Sequence, residues 1–182
     1  MVLGLLLVNM RKIISRTKRD WNSYASDGDR IPAVKTRPIE IKGEGMQFDL
    51  DRFIAAQEAL YEIALAELRV GKKRSHWMWF IFPQIAGLGR SETARFYAIS
   101  GQAEAVAYLD NELLGSRLLE CTEAMLSHSD RSAHAILGSP DDMKFRSCMT
   151  LFSAVGGPWS IFEKNIQRFY GGETDEETIA RL

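Results

Sequence analysis

The chain has 182 residues, 46% of them hydrophobic and 26% charged, the balance of a globular protein with enough apolar material for one sizeable core. Collagenous, disordered and disulfide-scaffold classes are excluded, and a formal net charge of −1 gives no overall pull toward nucleic acid or an anionic membrane. Cys121 and Cys148 stand without a Cys-x-x-Cys pair or a His/Cys partner set, so no disulfide framework, metal site or cofactor is expected, and a reducing cytoplasm is the expected compartment.

In chain order, residues 1–45 come first, with nine basic and five acidic side chains, against fourteen and nineteen in residues 46–182. Val2 to Val8 is apolar but far shorter than the roughly 20 residues a bilayer span needs. Its charges, Arg11, Lys12, Arg16, Lys18 and Arg19, follow the run instead of preceding it, so neither a signal peptide nor an anchor is expected. Asn22 to Gly45 is rich in Ser, Asp, Gly, Pro and Lys and has no helical period. Residues 1–45 therefore read as a poorly ordered extension or a mistaken start, with Met46 as the alternative start of one all-helical domain over 46–182.

Asp49 is placed to cap a helix whose apolar positions Phe53, Leu60, Ala64, Leu65 and Leu68 recur every three or four residues, with Gly71 past its end. Ser91-Glu92 opens a second helix through Phe96 and Ile99, and Gln102 to Leu109 makes a third. Gly115 reads as a separator before a helix over Ser116 to Leu126, and Ala133 to Leu137 as a turn. Ser139-Pro140-Asp141-Asp142 is a strong helix start, with a capping hydroxyl, a first-turn proline and two acids at the positive helix end. That helix carries Phe145, Met149, Leu151 and Phe152 and stops before Gly156-Gly157; Pro158 opens the next, through Ile166 and Phe169 to Gly171-Gly172, and Thr174 caps a last turn or two. No run alternates with period two for long enough to demand a sheet. The expected fold is all-α, a compact bundle of about six to seven helices.

One stretch breaks this pattern. Lys72 to Ser91 places Trp77, Trp79, Phe80 and Phe82 with His76, Lys72, Lys73, Arg74 and Arg90 between two helices, and rings of this size bury roughly 150–250 Å² each. The segment reads as a non-helical aromatic connector after the first long helix, either wedged into the core or holding a planar ligand.

The run Ser75-His76-Trp77-Met78-Trp79-Phe80-Ile81-Phe82-Pro83-Gln84, followed by Gly87-Leu88-Gly89-Arg90-Ser91 and Arg95-Phe96-Tyr97-Ala98-Ile99, resembles the bacterial family called domain of unknown function 1810. Arg52-Phe53 and Ala56-Gln57, the segment Leu113 to Leu118, and Gly138 to Asp142 through Ser147 and Met149 to Phe152 match as well, so the resemblance covers about residues 47–172. It implies a compact all-helical domain with no established activity to carry over. Members are often labelled calpastatin, a name that belongs to a largely disordered repeat protein, whereas this chain has one aromatic-rich core.

The candidate chemical groups concentrate in the same stretch. His76 is the weak catalytic candidate, as a general base or a donor that orients a ligand; the ligand-binding set is Arg74, His76, Trp77, Trp79, Gln84, Arg90, Ser91 and Tyr97. Gly87 and Gly89 would let loop amides approach an anion at the helix start, although the run lacks the P-loop form. His128 and His134 read as solvated, Cys121 and Cys148 as buried thiols, and Asp141 and Asp142 as helix-start acids. Two functions follow: binding or processing of a small, nucleotide-like anion at residues 73–97, with the Lys144, Ser147 and Thr150 face as a second contributor, or a protein-interaction module without catalysis. Lys72, Lys73 and Arg74 are too small a cluster for nucleic acid, no membrane contact is expected, and the oligomeric state is open.

Overall fold

The computed structural model describes residues 48–157 and 159–182. The expectations placed on residues 1–45, on Met46 and on Pro158 lie outside the described residues. Nine helices occur among those described: α1 (Asp51–Val70), α2 (Met78–Ile81), α3 (Glu92–Phe96), α4 (Gln102–Asp110), α5 (Glu112–Leu126), α6 (Ala133–Leu137), α7 (Asp141–Gly156), α8 (Ile161–Tyr170) and α9 (Glu176–Ile179). The all-α expectation holds, and the only pairing outside helices among the described residues is an isolated parallel bridge between Ile85 and Ile99.

The helix number exceeds six to seven because several links are themselves single turns. The connector after α1 contains the turn α2, where Phe82 N–H donates to the Met78 carbonyl at 3.0 Å, and Ala133–Leu137 is a helix capped by Ser132 Oγ, which accepts from Ala135 N–H. Gly115 does not separate two helices. It lies inside α5, which starts at Glu112 because Asn111 Oδ1 accepts from the Leu113 and Leu114 amides; a Cβ on Gly115 would sit 2.2 Å from the Leu109 carbonyl oxygen, so the glycine lets α4 and α5 close on each other.

Three caps fall elsewhere than expected. Asp49 does not cap α1: its carbonyl accepts from Arg52, and the N-cap position is Leu50, which has no side-chain bond. Ser139 does not cap α7, whose first amides are satisfied by the Gly138 carbonyl, the Asp142 carboxylate and the Pro140 carbonyl. Asp175, not Thr174, caps α9, its carboxylate accepting from Thr178 N–H and Oγ–H. The second helix stops at Phe96, one turn short of Ile99, because Ile99 N–H turns back to the Gln84 carbonyl at 2.9 Å.

The C-terminus of α1 behaves as its sequence dictates. Gly71 adopts the left-handed conformation (φ 75°), its N–H reaching Leu68 O and Lys72 N–H reaching Glu67 O, which closes a Schellman motif. Two further side chains reach carbonyls at this end: Arg131 donates to Val70 O and Gly71 O, and His128 Nε2 lies 2.7 Å from Leu68 O. A carbonyl only accepts, so that ring nitrogen carries the hydrogen. His128 is therefore half-buried and bonded instead of solvated, while His134 is exposed and paired with Asp142 at 2.9 Å.

α5 packs against α1, α4 and α8, and α7 against α4, α6, α8 and α9. Between them, edge-to-face or tilted rings fill the centre: Phe53 on Tyr108 at 5.1 Å, Tyr108 on Phe152 at 5.5 Å, and Phe82 on Phe145 at 4.8 Å. No described helix is long and apolar enough to cross a membrane.

Candidate functional site

The aromatic segment divides at the surface of the core. Trp77, Phe80 and Phe82 are buried, with Trp77 and Phe82 fully so, whereas Trp79 is half-buried. The order follows from α2: at about 100° per residue, a four-residue helix that turns Met78, Phe80 and Ile81 inward leaves Trp79 on the outer side.

Glu67, in the last turns of α1, fixes the start of the segment. Its carboxylate accepts from the Arg74 and Ser75 amides at 2.8 and 3.0 Å, the Ser75 hydroxyl at 2.5 Å and the Trp77 indole N–H at 2.8 Å. Partial burial works to raise its pKa, but these bonds, the Ser75 hydroxyl foremost, outweigh it and bring the group down to about 2. Trp77 therefore has no free donor for a ligand. Gln57, also on α1 and buried, donates from Nε2 to the Phe80 carbonyl at 2.7 Å and to Tyr108 Oη at 3.0 Å. Arg52 holds the far end, donating to Phe96 O and Ala98 O at 2.9 Å each and pairing with buried Glu104 at 2.6 Å.

Beside the half-buried ring lies a charged cluster. Lys73 and Lys144 hold opposite oxygens of Asp141 at 2.8 and 2.7 Å. The Lys73 ammonium stands 5.1 Å from the Trp77 ring centre and that of Lys144 stands 4.8 Å from the Trp79 ring centre. Burial works to raise the Asp141 pKa, but Lys144 and then Lys73 outweigh it and lower it below the ordinary carboxylate value. Asp141 stays ionised and the trio carries one net positive charge. Each ammonium has three donors, one of them used on Asp141.

The other candidates fall into different positions. His76, Arg74 and Arg90 are exposed, and their side chains make no hydrogen bond or ion pair with another described residue. Ser91 Oγ accepts from Ala94 N–H as the cap of α3, and Gly89 is crowded, since a Cβ there would lie 2.3 Å from the Ala94 Cβ. The glycine run thus serves a tight turn into a five-residue helix. Tyr97 packs on Phe80, Phe53 and Phe96, and half-buried Gln84 is held through its backbone carbonyl. Of the Lys144, Ser147 and Thr150 face only Lys144 reaches the cluster: Ser147 and Thr150 are buried and donate to the Met143 and Arg146 carbonyls of their own helix.

Neither thiol suits a nucleophilic role. Burial pushes Cys121 up to about 12 and Cys148 well above its ordinary value. No group of three or more His, Cys, Asp or Glu side chains comes together as a metal site among the described residues.

Glu67, Gln57 and Asp141 as a lysine bridge were not visible as site residues in the sequence. Apart from Lys144, three residues beyond Asp141 on α7, their partners are non-local backbone groups and side chains, which no local spacing marks.

An all-helical domain with an aromatic segment clipped to its first helix is the class these features define. The model of the family described as "Protein of unknown function (DUF1810)" matches residues 47–182, and the chain belongs to that family. It is also similar to the crystal structure of the conserved hypothetical protein Rv1873 from Mycobacterium tuberculosis, at 47% identity over 74% of this chain and 96% of that one, with a TM-score of 0.73. No curated protein matches the chain.

Proposed function

We propose that this domain binds a small anionic ligand bearing a flat ring, of nucleotide-like chemistry, at the surface where Lys73, Trp79 and Lys144 meet and where His76 lies close in sequence. The observation that carries the reading is the pair of lysines sharing one carboxylate against a half-buried indole. Both lysine side chains are mostly covered, with exposures of 10% for Lys73 and 23% for Lys144, so an anion there meets charges that bulk water screens only in part. The ring of Trp79 gives a nucleobase a stacking face. Buried thiols direct the reading toward binding before any reaction.

The test is a thermal-shift titration with AMP, which combines a flat ring and a phosphate. Ligand at 100 times its Kd adds about 2.7 kcal/mol to the folded state. The shift should fall in Trp79→Ala and Lys144→Met, weaken as salt rises, and persist in Arg90→Ala. An AMP shift equal in all three variants overturns the reading.

A second reading, a protein-interaction module, is favoured by Trp159, which is 84% exposed with φ 63°, a backbone conformation that a bulky residue rarely adopts. A photo-crosslinking residue at position 159 that captures one discrete protein in cells, when the same residue at Val106 captures none, would favour it.

A further inference from the structure

We propose that Gln57, which touches no part of the proposed ligand surface, is the positioning residue that aims Trp79 at the ligand; the inference rests on the binding reading above. α2 is a single turn, so its internal bonds use only the Trp77 and Met78 carbonyls, which accept from Phe80, Ile81 and Phe82 N–H. The carbonyls of the following residues have no helical partner. Phe80 is 6% exposed, and its carbonyl would be a buried orphan without an outside donor. Gln57 Nε2 supplies that donor at 2.7 Å, and Tyr108 Oη adds a second at 3.4 Å.

Gln57 is itself locked. Its Nε2 also donates to Tyr108 Oη at 3.0 Å, and its Oε1 accepts from Arg117 at 3.4 Å. The guanidinium of Arg117 lies 4.5 Å from the centre of the Tyr61 ring, which shares α1 with Gln57. An amide with both ends engaged has one orientation, because the Phe80 carbonyl only accepts.

The mechanical consequence follows from helix geometry. Fixing one carbonyl of a one-turn helix to α1 fixes the rotation of that turn about its axis. Met78, Phe80 and Ile81 then face the core, and Trp79 faces Lys144. Without the Gln57 donor, the Phe80 carbonyl keeps only the longer Tyr108 bond at 3.4 Å and the rotation is held less firmly, and a shift of the indole by even about 1 Å loosens a binding geometry.

The test uses full-length protein labelled with 5-fluorotryptophan, the Trp79 fluorine resonance being assigned by its loss in Trp79→Phe. Gln57→Met keeps the side-chain volume and removes the donor. It should move the Trp79 resonance, leave that of Trp159 in place, and weaken AMP binding several-fold. Tyr108→Phe, the gentler variant should Gln57→Met not fold, removes the longer bond and should move the same resonance less.

An unmoved Trp79 resonance, or unchanged AMP affinity in both folded variants while Trp79→Ala abolishes binding, overturns the positioning role and leaves the binding reading standing. A moved resonance in a protein whose wild type gives no AMP shift overturns the binding reading, and the ligand-positioning role with it.

Discussion

Residues 72–85 and 86–98 adjoin in sequence and are both held by polar side chains of α1, but the first is held along its length and the second only at its far end. The first half is gripped by two polar side chains of α1, Glu67 at two backbone and two side-chain donors and Gln57 at the Phe80 carbonyl, and it buries three large rings. The second half is a glycine turn and a five-residue helix, pinned at its far end by Arg52, with Arg90, Ser91 and Phe96 exposed. Polar residues on the inward side of an apolar helix therefore decide which neighbouring segment becomes a rigid platform. A flexible-looking loop with glycines and arginine is not the better site merely because it is exposed.

The sharpest way to break this contrast lies within the first half. Trp77→Ala removes a fully buried ring and should destabilise the fold by about 3–5 kcal/mol, whereas half-buried Trp79→Ala should cost clearly less in urea unfolding. Equal losses would mean that both rings are core and that the segment presents none.

Glu67→Gln comes next, on the order of 1.5–3 kcal/mol for bonds lost at a charged acceptor. It also has a pH signature. The folded-state pKa lies at about 2, below the ordinary 4.5, so the stabilisation is complete above about pH 4.5 and is lost as pH falls toward 2. Glu67→Gln should flatten part of the acid limb of the stability curve; Glu104 and Asp141, whose pKa values are also lowered, keep the remainder.

In the second half, Gly89→Ala should cost about 1–3 kcal/mol through overpacking, because the added methyl meets Ala94. Adding Ala94→Gly should recover part of that loss, whereas purely additive effects would show that the contact is not the cause. Smallest of all, Arg90→Ala and His76→Ala should stay within about 0.5 kcal/mol of wild type. A loss larger than that would place either residue in the structural framework.

The long helices could be read from sequence because period and punctuation agree: Gly71 past α1 and Gly171 past α8. Gly115 misled because a glycine needed for close approach looks, in sequence, like one that ends a helix. The site was half legible. Trp79 stands out by composition, and Lys144 was named with Ser147 and Thr150, whose hydroxyls the helix turns inward to its own carbonyls. Glu67 and Gln57 looked like ordinary polar positions on α1, since the groups they hold are backbone amides and a carbonyl from 7 to 23 residues away.

Amide hydrogen exchange at Arg74 and Ser75, compared between wild type and Glu67→Gln, measures that grip most directly. Both N–H groups donate to the Glu67 carboxylate from a segment where Arg74 is exposed and Ser75 half-buried, so protection there comes from that bond and not from a helix ladder. The account predicts slow exchange at both amides in wild type and fast exchange in Glu67→Gln, with the α7 amides unchanged. Equally fast exchange in both proteins, or equally slow, would contradict it.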